Sequence, residues 1–69
     1  MIRYKIDVLE ELKKHGVTQY DILKKNLLSQ GSVTKIRNGG VVSNERTLNF
    51  LCETLNLQPG DIIEYVKSG

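Results

Sequence analysis

A single cysteine, Cys52, has no partner for an internal disulfide, and a single histidine, His15, leaves no zinc-ligand set. A reduced compartment is the simplest setting for such a chain. No apolar run approaches the roughly 18 residues that span a bilayer, and the N-terminus lacks the apolar block of a signal peptide. The expectation is therefore a cytoplasmic chain with no membrane partner. Also missing are a carboxylate pair beside a nucleophile and a glycine-rich phosphate loop, since Gly39-Gly40 follows a helical pattern instead of opening one. No catalytic residue, metal or cofactor is expected, and the chain does not read as an enzyme.

The most informative absence is acidic charge. Between Asp21 and Glu45 there is no Asp or Glu, whereas Lys24, Lys25, Lys35 and Arg37 all fall there. The chain as a whole is only +2, so this segment is +4 and the remainder −2. Total charge alone argues nothing about nucleic acid. Its segregation onto one stretch does, because a positive surface on a mildly acidic scaffold offers one face to a phosphate backbone.

What is present fits one small domain over residues 1–69. An apolar fraction of 39% and a charged fraction of 26% suit a packed core and exclude a disordered chain. Met1 to Ile6 alternates apolar and basic residues, as an extended lead-in would. There Ile2, Tyr4 and Ile6 reach the core edge, while Arg3 and Lys5 are solvated or form a basic arm that touches DNA.

Helical periodicity begins at about Asp7 and runs to Lys14, with Val8, Leu9 and Leu12 inward and Gly16 as a left-handed cap. Thr18 caps a second helix from Gln19 to about Asn26, with Asp21 as its capping-box partner and Ile22 and Leu23 buried. Ser29 caps a third, roughly Gln30 to Asn38, in which only Val33 and Ile36 face inward. A helix so short and polar needs tertiary packing to hold it. Its open face carries Gln, Ser, Thr and Lys, which suits base reading: Gln pairs with adenine, Lys with guanine, and Thr offers a methyl to thymine.

Asn44 caps a fourth helix to about Leu55, whose stripe of Leu48, Leu51, Cys52 and Leu55 makes Cys52 a small buried hydrophobe. Asn56 takes a left-handed cap position. Pro59 opens a fifth helix that contributes Ile62, Ile63, Tyr65 and Val66, and Lys67 to Gly69 fray. The expected core is Leu9, Leu12, Ile22, Leu23, Val33, Ile36, Leu48, Leu51, Cys52, Leu55 and Ile62.

Thr18-Gln19, Ile22, Ser29, Val33, Ile36, Asn38-Gly39, Thr47-Leu48 and the PGDII of residues 59–63 share a joint spacing with a known family. The chain resembles the lambda-repressor-like helix-turn-helix family (Cro and Xre type), particularly its small stand-alone bacterial and phage members. The resemblance covers nearly the whole chain. It implies an all-α, compact five-helix fold in which helices two and three form the helix-turn-helix. It also implies a sequence-specific double-stranded DNA-binding transcriptional regulator, expected to be a repressor; because one such unit buries a modest surface, a homodimer is expected on DNA.

By the same resemblance, Gln30, Ser32, Thr34 and Lys35 match base-reading positions. Gln19, Asn38, Ser43, Asn44 and Arg46 match backbone-contacting ones, and Lys24, Ser29 and Arg37 join them at the phosphates. Phe50, Leu57, Ile63, Tyr65 and Val66 form the expected dimer surface. Two positions depart from the family, Leu23 where a small residue is usual and Leu27 where the turn usually has glycine. A left-handed Leu27 would cost about 1–2 kcal/mol, so the turn either uses Asn26 or is one residue longer. The rival to DNA binding is a protein-interaction module, antirepressor or antitoxin-like, on the same scaffold.

Overall fold

Four of the helices stop where the backbone turns left-handed, at Gly16, Asn26, Gly39 and Asn56 (φ 80°, 54°, 89° and 55°), in a computed structural model that describes residues 1–67. The elements are β1 (Ile2–Tyr4), α1 (Val8–Lys14), α2 (Gln19–Lys24), α3 (Gln30–Arg37), α4 (Glu45–Leu55), α5 (Pro59–Ile62) and β2 (Ile63–Tyr65). The fraying expected of Ser68 and Gly69 lies outside the described residues.

Each long helix begins on a side chain that accepts from a backbone N–H three residues on. Asp7 accepts from Glu10, Thr18 from Asp21, Ser29 from Ser32 and Asn44 from Thr47. At the other end of α2, the Asn26 N–H donates to the Leu23 carbonyl at 3.3 Å and the Leu27 N–H to the Ile22 carbonyl at 2.9 Å. That is the paired bonding of a Schellman cap, with Asn26 as its left-handed residue. The turn thus uses Asn26, and Leu27 is spared the strain. Asn26→Ala is expected to cost about 1 kcal/mol because Cβ remains while the amide is lost, and Asn26→Gly almost nothing. Urea denaturation of the two variants checks this.

Two expectations are corrected. The domain is helix-rich with five helices, but it is not all-α: β1 and β2 pair antiparallel, Arg3 opposite Glu64 and Tyr4 opposite Ile63. The fifth helix is a single turn. Past Ile62 the chain continues as Ile63-Glu64-Tyr65, an alternating β-branched and aromatic run that pairs with the extended N-terminus. The Arg3 and Lys5 side chains turn back onto this end of the chain, Arg3 Nε to Glu64 at 2.6 Å and Lys5 Nζ to the Gly60 carbonyl at 3.1 Å.

The core is the second correction. Val8, Leu12, Ile22, Leu28, Val33, Ile36, Val42, Leu51, Leu55 and Ile62 are buried. Leu23, expected inside, is 43% exposed. With α2 ended at Lys24 and the backbone turned at Asn26, Ile22 and Leu28 supply the buried side chains of this corner. Leu9 and Cys52 pack against the core from its edge. Leu48 is half-buried, while Thr47 beside it is fully inside.

Candidate nucleic-acid interface

Helix α3 is fixed from below by Val33 and Ile36, the two anchors its sequence suggests. Gln30, Gly31, Lys35 and Arg37 are exposed on it, whereas Ser32 and Thr34 are half-buried. The Ser32 hydroxyl accepts from Ser29 Oγ at 2.9 Å, so it belongs to the cap but keeps its own proton to donate. A Cβ built on Gly31 would meet nothing within 4 Å. The first turn of α3 therefore presents an unobstructed backbone beside Gln30.

The flanking candidates lie on three elements. Asn38 caps the C-terminal end of α3 and is exposed, and Ser43 and Asn44 are exposed in the loop before α4. The Asn44 side chain accepts from the Thr47 N–H at 2.9 Å, leaving its amide nitrogen free of that bond. Arg46, expected only as a backbone clamp, donates from Nη2 to the Asn26 carbonyl at 3.0 Å. It thereby ties α4 to the turn between α2 and α3. Gln19 and Arg37 line an open cleft of about 520 Å³ together with Asp7, which caps α1, and Glu10 and Lys13 on that helix.

On α2, Lys24 Nζ stands 5.5 Å from the centroid of the Tyr20 ring. Such a cation–aromatic pair at an exposed site keeps the ammonium close to the helix surface. Tyr20, 67% exposed, was missed as a surface feature, although its i,i+4 spacing to Lys24 was visible. The one acidic group of this helix, Asp21, is occupied in the cap. Bonds from the Thr18 N–H and then the Thr18 hydroxyl hold its carboxyl below the usual carboxylate range, with Lys25 and Lys24 adding to the effect. Because the shift is downward, that stabilisation is complete at neutral pH and is lost only as acid protonates the group.

A further residue bears on this surface from outside it. The Tyr4 hydroxyl donates to the Val42 carbonyl at 2.8 Å and accepts from the Val42 N–H at 3.1 Å. Burial pushes the phenol pKa up, and the bond to Val42 opposes that. No local pattern marks Tyr4, because its partner lies 38 residues away.

Among the described residues no group of three His, Cys, Asp or Glu side chains is placed to hold a metal ion. Among them, too, no helix is long and apolar enough to cross a membrane. Compared with known families, residues 6–68 match the Cro/C1-type HTH (helix-turn-helix) DNA-binding domain. The chain belongs to that family. No curated protein and no solved structure matches the chain.

Proposed function

We propose that this Cro/C1-type domain is a sequence-specific transcriptional regulator, a repressor, that reads duplex DNA with α3 in the major groove. The observation that carries this is the exposed face of α3. It is polar and basic, lies in a stretch from residue 22 to residue 44 that contains no acidic residue, and is held by only two apolar anchors. Gln30, Ser32, Thr34 and Lys35 read base edges, Ser32 through its remaining proton. Gln19, Lys24, Ser29, Arg37, Asn38, Ser43, Asn44 and Arg46 set the register on phosphates. Arg46 exchanges or shares its bond to Asn26, and Ser29 turns its hydroxyl proton away from Ser32, when they do so.

One such module buries little surface, so the reading includes a homodimer on half-sites one helical turn apart. Of the side chains expected to join the protomers, Phe50, Leu57 and Ile63 are partly spent on the core. Tyr65 remains exposed, and so do Ile2, which pairs with it in the sheet, and Met1 just before the strand. These three mark the patch left for a second copy.

Selection from random duplexes followed by mobility-shift titration tests the reading. One recovered motif is expected, with affinity falling steeply in salt. The log–log slope should be about −3 for one protomer whose Lys24, Arg37 and Arg46 neutralise phosphates, and about −5 for two. The rival reading has one observation in its favour, since Tyr20 and Leu23 leave an aromatic and an aliphatic side chain exposed at i,i+3 on α2. A protein recovered by pull-down, with no duplex retained at low salt, would reverse the ranking.

A further inference from the structure

A path of contacts leads from the last turn of α3 out of the helix-turn-helix and into the sheet. The Gly40 N–H donates to the Lys35 carbonyl at 2.8 Å. The methylene stem of Lys35 lies against Gly40 so closely that a Cβ there would stand 2.6 Å from Lys35 Cγ and 3.1 Å from the Lys35 carbonyl oxygen. Two residues on, Val42 is buried, and both of its backbone polar groups close on the Tyr4 hydroxyl. Tyr4 in turn is fixed on β1 opposite Ile63 of β2. The segment from Gly40 to Val42 thus hangs between α3 and a phenol that belongs to neither the helix-turn-helix nor its loop.

The double bond to Val42 constrains more than a single one would. A carbonyl held alone leaves its peptide free to pivot, whereas an N–H and a C=O of one residue held by one oxygen fix both flanking peptide planes. The loop from Gly40 to Ser43 has no regular structure of its own to do this. With phenylalanine at residue 4 the ring could still pack, but two backbone groups near the core would lose their partner, and the loop would turn to find water. Gly40, and the Lys35 stem that rests on it, would shift with the loop.

We propose that Tyr4 is a positioning residue for DNA recognition, fixing the loop that aims the Lys35 ammonium; this rests on the DNA-reading role given above to α3. The effect is confined to one end of the helix. Gln30 stands at the opposite end, next to the Ser29 cap, and the preceding turn is held independently by its own bonds and by Arg46. Loss of the phenol hydroxyl should therefore blur the base pair read by Lys35 and leave that read by Gln30 sharp.

The test compares the wild-type chain, Tyr4→Phe and Lys35→Ala on the selected duplex, on its single base-pair variants and on random duplex. Tyr4→Phe is expected to lose about three- to tenfold in specific affinity with random-duplex affinity unchanged, as for one or two neutral hydrogen bonds. Its discrimination should flatten at the same base pair as in Lys35→Ala and nowhere else. Leu55→Val, which loosens the core on α4 but keeps the phenol, should discriminate like the wild type.

A uniform loss at all positions, or no loss while exchange of the Val42 amide accelerates, overturns the proposal. Gly40→Ala approaches the path from the other side and covers a Tyr4→Phe variant that fails to fold. Unchanged discrimination in Gly40→Ala also overturns it. If the wild-type chain retains no duplex at low salt, the DNA reading itself falls. If it binds and Tyr4→Phe discriminates normally, only the role of Tyr4 falls.

Discussion

Shortening Leu28 to alanine is expected to destabilise the domain by about 2–5 kcal/mol, the cost of removing a buried leucine side chain that its surroundings cannot fully replace. Leu28 is 2% exposed and ranks with Leu12, Ile22, Leu51 and Ile62 among the largest fully buried side chains. It is also the one turn residue between α2 and α3 that is wholly inside, since Leu27 is only partly buried. A domain of this size commands roughly 3–10 kcal/mol in total, so the loss consumes much of it. Urea denaturation of Leu28→Ala beside Leu23→Ala makes the prediction specific. Leu23, 43% exposed, should cost well under half as much. If Leu23→Ala were the more damaging of the two, the inward face assigned to this corner would be wrong.

The same two leucines show where sequence reasoning stops. Helical periodicity assigns Ile22 and Leu23 to one buried stripe, yet successive residues stand about 100° apart on a helix and only Ile22 faces inward. For Leu28 the phase itself is lost, because the left-handed Asn26 ends the helix after Lys24. Beyond that point the side-chain direction is set by the turn, and Leu28 takes the buried place. By contrast, Val33 and Ile36 were legible because they lie within one uninterrupted helix, and Thr18, Ser29 and Asn44 because a cap is a bond over three residues. Neither needs information from elsewhere in the chain.

The sheet needed that information. Met1 to Ile6 looked extended, but its partner lay at the other end of the chain, where Pro59-Gly60-Asp61 announced a helix. The helix start was right and its length was not, because pairing with β1 claims the chain from Ile63 onward. The candidate site divides in the same way. Which residues of α3 lie off its anchors was readable from spacing. The half-burial of Ser32 and Thr34, the Arg46 bond to Asn26 and the seat of Lys35 on Gly40 were not, because each depends on a neighbour brought up by the fold.

Lys35→Ala is expected to lower affinity for the selected duplex by about 1–3 kcal/mol, a loss concentrated at one base pair. Lys24→Ala should instead weaken all duplexes alike and reduce the salt slope by about 1. The contrast follows from placement. Lys35 sits on α3 between its two anchors and the loop, with its stem held against Gly40, so its ammonium starts from a defined position. Lys24 lies at the end of α2 with its ammonium over the Tyr20 ring, where it adds charge without a base edge to read. Ordering a free lysine on a base edge costs side-chain entropy, and a stem already packed pays part of that cost on folding. Gly40→Ala removes this seat without touching the ammonium. It should therefore lose specific affinity in the same direction as Lys35→Ala while keeping the wild-type salt slope. Mobility shifts over a salt series, on selected and random duplexes, separate the three variants. An unchanged footprint and affinity in Lys35→Ala would remove Lys35 from base readout and leave Gln30 as the main reader on α3.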